Sequence, residues 1–181
     1  MALKATIFKA ELNISDMDRN YYQSHALTLA QHPSETDERL MVRLCVFALH
    51  AGPGLEFGKG LSDDDEPALW QKSLDGEIKT WIDVGQPDEK RIRKACGRAQ
   101  KVFIYCYHSR SAAIWWQQNR ENLERFTNLS IVSLPDAGVA ALGKLIQRSM
   151  QLNCTIQEGQ VWIASGDQSV QIDPETWQVP T

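Results

Sequence analysis

After Lys101, the run VFIYCY (residues 102–107) is an unbroken series of β-branched, aromatic and sulfur-bearing side chains. A strand of that composition has no solvated face, so it belongs inside a covered sheet. A second such run, LSIVSL, occupies residues 129–134. Between them Ser109 opens a helix-length segment that reaches about Arg125. Strand, helix and strand in that order place the two strands parallel, joined by a right-handed crossover. The chain is therefore of α/β (α+β) class, with helices lying on a sheet.

The flanking segments extend this frame. Residues 3–14 and 21–30 alternate as strands, and SDMDRN between them reads as a hairpin turn. Pro33 and Ser34 open a helix, with Ser34 and Asp37 at capping-box spacing. Its apolar face is Leu40, Met41, Leu44, Phe47 and Ala48, and HAGPG ends it. Leu55 to Asp65 is turn-rich and acidic. EPALWQ and IKTWIDV are strands joined across SLDGE, with Trp70 and Trp81 facing one another. Asp88 caps a basic helix over about 89–100, and Asp136 caps another to about Met150. The last thirty residues form a β-meander whose turns are EG and GD. The expectation is one domain, 1–181: a mixed sheet flanked by helices and framed by N- and C-terminal β-hairpins.

Composition narrows the function. The hydrophobic share of 43% is enough for a core, and no apolar run approaches membrane-spanning length. The opening MALKATIFKAEL has no signal-peptide pattern, so the expected location is the cytoplasm and no membrane partner is expected. Cys45, Cys96, Cys106 and Cys154 have no metal-ligand spacing and read as small buried hydrophobes. The four histidines also lack such spacing, and neither a GxSxG motif nor a P-loop occurs. A net charge of -4 argues against broad non-specific binding to nucleic acid. The charge is segregated, however. Acids cluster at Asp63, Asp64, Asp65 and Glu66, and cations at Lys90, Arg91, Arg93, Lys94, Arg98 and Lys101.

That segregation draws attention to WIDVGQPDEKRIRKA, residues 81–95. Strand alternation puts Ile78, Thr80, Ile82 and Val84 on the core face, and Lys79, Trp81 and Asp83 on the more polar one. Asp83 is then near the strand's C-terminal end, where ligands bind in open α/β sheets. Gly85 leaves the backbone open to approach. One hairpin away stand Asp65 and Glu66. Acids brought together repel unless a cation or proton joins them. A hard divalent ion, Mg²⁺ or Mn²⁺, suits Asp65, Glu66 and Asp83, and without it one carboxyl should titrate high. The plainer reading is that residues 63–66 are a solvated loop. On the basic helix, Ile92, Ala95, Cys96 and Ala99 form the apolar face. Arg91 flanks that face in the first turn, near the strand end, whereas Lys94 points outward to nucleic acid or solvent. Trp115 and Trp116 are candidates to stack on bases, though at least one of two adjacent helical residues should pack inward.

Three blocks, SETDERLMVRL, LSDDDEPALW and WIDVGQPDEKRIRKA, closely resemble the YaeQ family of bacterial proteins, and the resemblance runs over essentially the whole chain. It implies a restriction-endonuclease-like fold with a variant PD-(D/E)XK nuclease site. Asp65 or Glu66 would be the first acid of that pattern and Asp83 the second. The motif lysine falls at Gly85, so this sequence lacks it. Lys79 stands four residues from Asp83, roughly 13 Å along a strand, too far to replace it. Arg91 or Lys94 is the better substitute. Arg91 stays protonated and can only stabilise phosphate charge, which leaves water activation to the metal or Lys94. Nuclease-like folds often add a Glu from the helix before the sheet, and Glu38 is the candidate. The resemblance thus implies a metal-dependent phosphodiesterase acting on nucleic acid. The alternative is a non-catalytic nucleic-acid or protein interaction module, for example transcription-associated, that keeps the fold and binds through the basic helix 89–101. With Asp83 at a strand end and outside the core, Asp83→Asn is expected to leave the fold intact.

Overall fold

The structure is a computed structural model that describes residues 4–181; Leu3, the first residue of the expected opening strand, lies outside them. The described chain begins with β1 (Thr6–Asp16), β2 (Tyr21–Gln31), α1 (Asp37–His50) and β3 (Leu55–Phe57). A 3-10 turn at Gly60–Ser62 leads to β4 (Leu69–Lys72), β5 (Ile78–Val84), α2 (Glu89–Arg98) and β6 (Lys101–Cys106). Then come α3 (Ser109–Leu123), β7 (Leu129–Ser133), α4 (Asp136–Gly143), β8 (Ser149–Gln157), β9 (Gln160–Ser165), β10 (Gln168–Ile172) and β11 (Glu175–Gln178). The class is mixed α/β, with two sheets in place of the one expected. Among the described residues no helix is long and apolar enough to cross a membrane. The chain divides into two compact units: residues up to His50 with Ala137–Pro174, and Ala51–Asp136 with Glu175–Thr181.

The first unit is built on a sheet of order β10-β9-β8-β1-β2. β1 pairs antiparallel with β2 along its length, and parallel with β8, Ala10 opposite Met150 and Leu12 opposite Leu152. The N-terminal hairpin and the C-terminal meander are thus one sheet. Register explains the match. Phe8, Ala10, Leu12 and Ile14 are buried on β1, and Met150, Leu152, Cys154 and Ile156 on β8, so a one-residue slip would set one buried row against solvent. Glu158 and Gly159 both have positive φ, as a type I′ hairpin requires, and their N–H groups donate to the Asp18 carboxylate at 2.7 and 2.9 Å.

α1 is buried from Leu40 through Ala48, not on one stripe. Its single charge in that run, Arg43, donates to Glu35 at 2.6 and 2.9 Å and to the Ala30 carbonyl at 3.0 Å. The helix cap is Thr36, whose hydroxyl accepts the Arg39 N–H; Ser34 bonds His32 instead, and Asp37 accepts from Gln31. α4 stops at Gly143, short of the expected Met150. Its end tightens through Leu145 N–H to Leu142 O and Ile146 N–H to Gly143 O, and Met150 already belongs to β8.

The second unit carries the order β11-β7-β6-β5-β4-β3. β5, β6 and β7 run parallel, as the strand–helix–strand pattern predicts, and β4 is antiparallel to β5 with Trp70 opposite Trp81. The two indoles meet edge to face at 6.0 Å. The short strands β3 and β11 carry too few residues to be read from periodicity. Trp81 packs with Ile92, Ala95 and Ala99 of α2, and with Val102, Ile104, Leu123 and Leu129. The Trp81–Asp83 face of β5, expected to be the more polar one, is therefore buried beneath α2. α3 starts after His108, which has φ +62 and makes no side-chain cap. The expected cap, Ser109, gives its N–H and hydroxyl to Asp136 at 2.7 and 2.5 Å, and these bonds hold the Asp136 carboxyl below its ordinary value.

Candidate functional site

β5 delivers Asp83 to the start of β4, and α2 rises beside both. Asp88 caps α2 as expected, accepting the Arg91 N–H at 2.8 Å. This cap orients the first turn, and Arg91 projects from it onto Asp83. Arg91 Nε lies 2.9 Å from Asp83 Oδ2 and Nη2 lies 3.1 Å from Oδ1, a two-point fork. Trp81 Nε1 donates to Oδ2 at 3.0 Å, and the Ala68 N–H to Oδ1 at 3.3 Å. Asp83 is only 4% exposed, and each carboxylate oxygen accepts two bonds. The guanidinium is engaged beyond this fork. Nη1 donates to the Asp64 carbonyl and Nη2 to the Glu66 carbonyl, both at 3.0 Å. Arg91 thus ties the end of β5 to the 63–66 loop.

The other acids of the expected cluster lie farther out. Asp65 is exposed and accepts Lys94 Nζ at 2.5 Å, while its carbonyl accepts Arg98 Nη1 at 3.0 Å. The Lys94 hydrogen bond, followed by its charge, holds the Asp65 carboxyl below its ordinary value. For Asp65 this is opposite in sign to the raised carboxyl expected of crowded acids, because Lys94 pairs with it. The Glu66 carboxylate has Lys59 at 4.0 Å. Asp63 accepts the Asp65 N–H at 2.8 Å and shapes the loop. Among the described residues no three His, Cys, Asp or Glu side chains gather closely enough to hold a metal ion.

Gly85, at the motif's lysine position, has φ +97, and nothing stands within 4 Å of where a Cβ would project. Space would admit a side chain, but the left-handed backbone disfavours one. Glu38 belongs to the first unit, in the first turn of α1, where its Cγ would lie 2.8 Å from a Cβ on Gly143. Trp115 is held by a bond from Nε1 to the Pro87 carbonyl at 2.8 Å, and Trp116 stacks on Trp177 at 5.8 Å. The cysteines are free thiols, and burial pushes them up, to about 12 for Cys96, Cys106 and Cys154. They are protonated near neutral pH and do no thiolate chemistry there.

Sequence reasoning placed Arg91 at the strand end but missed that Trp81 donates to Asp83 and that Arg91 reaches Asp64 and Glu66 through their carbonyls, which carry no residue identity. It also missed the buried Glu35–Arg43 pair. Its signal was present, since Glu35, Arg39 and Arg43 recur every four residues.

A sequence profile described as YaeQ protein matches residues 1–174. The YaeQ proteins of Salmonella typhi and Escherichia coli are 45% and 44% identical to this chain, each over 181 residues that span the whole of both sequences. The crystal structure of YaeQ protein from Xanthomonas axonopodis pv. citri superposes with a TM-score of 0.94 at 50% identity, covering 97% of this chain and 99% of that one. The YaeQ structure from Pseudomonas syringae gives 0.93 at 35% identity, covering 97% of each. With sequence and fold matched nearly end to end, the chain belongs to the YaeQ family.

Proposed function

We propose that this chain is a non-catalytic interaction protein on a restriction-endonuclease-like frame, binding nucleic acid through the outer face of α2. The observation that carries this reading is the saturation of Asp83. A PD-(D/E)XK centre needs its second acid open to a divalent ion and a lysine two residues on. Here the four donors on Asp83 fill the acceptor positions a metal would use. An ion would have to displace Arg91 from its two-point fork and leave the guanidinium without its carboxylate. Asp65, Glu66 and Asp83, the expected ligands, each face a separate cation. Their arrangement does not fit Mg²⁺ or Mn²⁺. The lysine's place is taken by Gly85.

What supports nucleic acid as partner is the helix itself. Lys90, Arg93, Lys94 and Arg98 are exposed on α2, where Glu89 is its only acid. Phosphate neutralisation by such a face gives affinity that falls with salt, by roughly 0.7–0.9 in logarithmic slope per contact. Glu38 and the Trp115–Trp116 pair have no part in this reading.

Two measurements test it. Melting of the wild-type protein should not move with millimolar Mn²⁺ or Mg²⁺, and neither plasmid DNA nor single-stranded RNA should be cleaved. Binding of a labelled oligonucleotide should weaken with salt and lose slope in Lys90→Glu and Arg93→Glu. Mn²⁺-dependent cleavage that disappears in Asp83→Asn would instead establish the phosphodiesterase.

A further inference from the structure

The 63–66 loop lies on α2 in an unusual way. Three successive carbonyls, Asp64, Asp65 and Glu66, all accept from guanidinium groups of that helix, at 3.0 Å each. The Asp65 carboxylate completes the row on Lys94. The loop therefore presents to α2 a line of oxygen acceptors ending in an anion, the chemistry that a phosphodiester strand presents. Its bonds divide into two classes. Those of Arg91 are anchored by the buried Asp83. Those of Lys94 and Arg98 are at the surface: Arg98 is exposed, and the side chains of Lys94 and Asp65 are 53% and 71% exposed. Exposed pairs are weak and screened by salt, so they exchange readily for another anion.

Resting on the reading that α2 binds nucleic acid, we infer that Asp65 occupies the place of a phosphate on Lys94 and Arg98, making the 63–66 loop a built-in competitor that an incoming strand displaces. Arg91 stays on Asp83 throughout and keeps the loop's base attached, so displacement is a local peeling at Asp65. The device sets a threshold. A single phosphate gains little by replacing Asp65, whereas a strand that also reaches Lys90 and Arg93 gains several contacts for one displaced carboxylate. It also reconciles a basic helix with a chain of net charge -4, since part of the helix's charge is covered until a polyanion arrives.

The test uses fluorescence anisotropy of the full chain at low salt, with a fluorescein-labelled oligouridylate and a DNA duplex of the same length. Asp65→Asn should bind more tightly than wild type by about two- to fivefold, the span of an exposed ion pair. Glu121→Gln, which removes one exposed negative charge from α3, controls for net charge and should give a smaller gain. In Asp65→Asn/Lys94→Gln the gain should vanish, because Lys94 is the group that Asp65 covers. If wild type binds and Asp65→Asn binds no more tightly than Glu121→Gln, the competitor is overturned and α2 as the interface survives. If neither wild type nor Asp65→Asn binds either probe, the interface itself is wrong and the competitor falls with it.

Discussion

Arg91 holds Asp83 in a two-point fork at 2.9 and 3.1 Å while Nη1 and Nη2 also reach the carbonyls of Asp64 and Glu66. One side chain thereby joins a strand end, a helix and an acidic loop. The pair is largely buried, so its members depend on one another. Arg91→Met should destabilise the protein by about 3 kcal/mol, because Asp83 is left as an uncompensated buried charge. Arg91→Lys should recover only part of this, since an ammonium cannot reproduce the fork. Asp83→Asn should cost about 2 kcal/mol through lost charge-assisted bonds, because Asp83 is buried and not, as expected, outside the core. Urea unfolding at neutral pH measures all three.

Restoring the motif lysine should not restore a nuclease. Gly85→Lys places a side chain at φ +97 and should cost about 1–2 kcal/mol of stability. Asp83 would still be held by Arg91, so Mn²⁺ should neither raise the melting temperature of the variant nor induce cleavage. Metal-dependent cleavage by Gly85→Lys would show that only the lysine was missing.

His50, at the end of α1, is held by burial, and then by the nearby charge of Arg19, at about 4 against an ordinary 6.5. The folded protein therefore binds this proton less readily than the unfolded chain. Stability from neutral His50 is complete above pH 6.5 and is lost as the pH falls toward 4. The loss between pH 7 and pH 5 should reach at most about 2 kcal/mol. Urea midpoints at those two pH values should lie closer together in His50→Gln than in wild type.

In the first unit, Glu35 is buried with Arg43 and also accepts from Arg39. Arg43→Met should cost about 2–3 kcal/mol by removing two charge-assisted bonds from the buried Glu35, which keeps Arg39. Adding Glu35→Gln should recover part of that loss, which a double-mutant cycle in urea would measure as a coupling between the two positions. Strictly additive losses would mean the pair does not act as a unit.

Much of the frame was legible because it is local. The β1–β2 hairpin, the parallel β6–β7 pair, the Asp88 cap and the Trp70–Trp81 pair follow from alternation, helix period and turn chemistry, which act over a few residues. The position of Arg91 follows from the same arithmetic, since a first-turn residue flanking the apolar stripe must face the preceding strand. The three sequence blocks also sufficed to place the chain in the YaeQ family.

Only the tertiary structure decided what those parts do. Parallel pairing of β1 with β8 joins positions about 140 apart, such as Lys9 and Ser149, and no local pattern encodes a partner that distant. Burial of Asp83 follows from α2 closing over the Trp81 face of β5, because the same strand would carry an open acid were the helix elsewhere. The acids at 63–66 read as one cluster in the sequence, but in space the loop's carbonyls serve Arg91 and Arg98 and its Asp65 carboxylate serves Lys94. Every residue has a carbonyl, so such bonds leave no trace in residue identity. They exist only where the folded backbone brings an acceptor within reach of a donor.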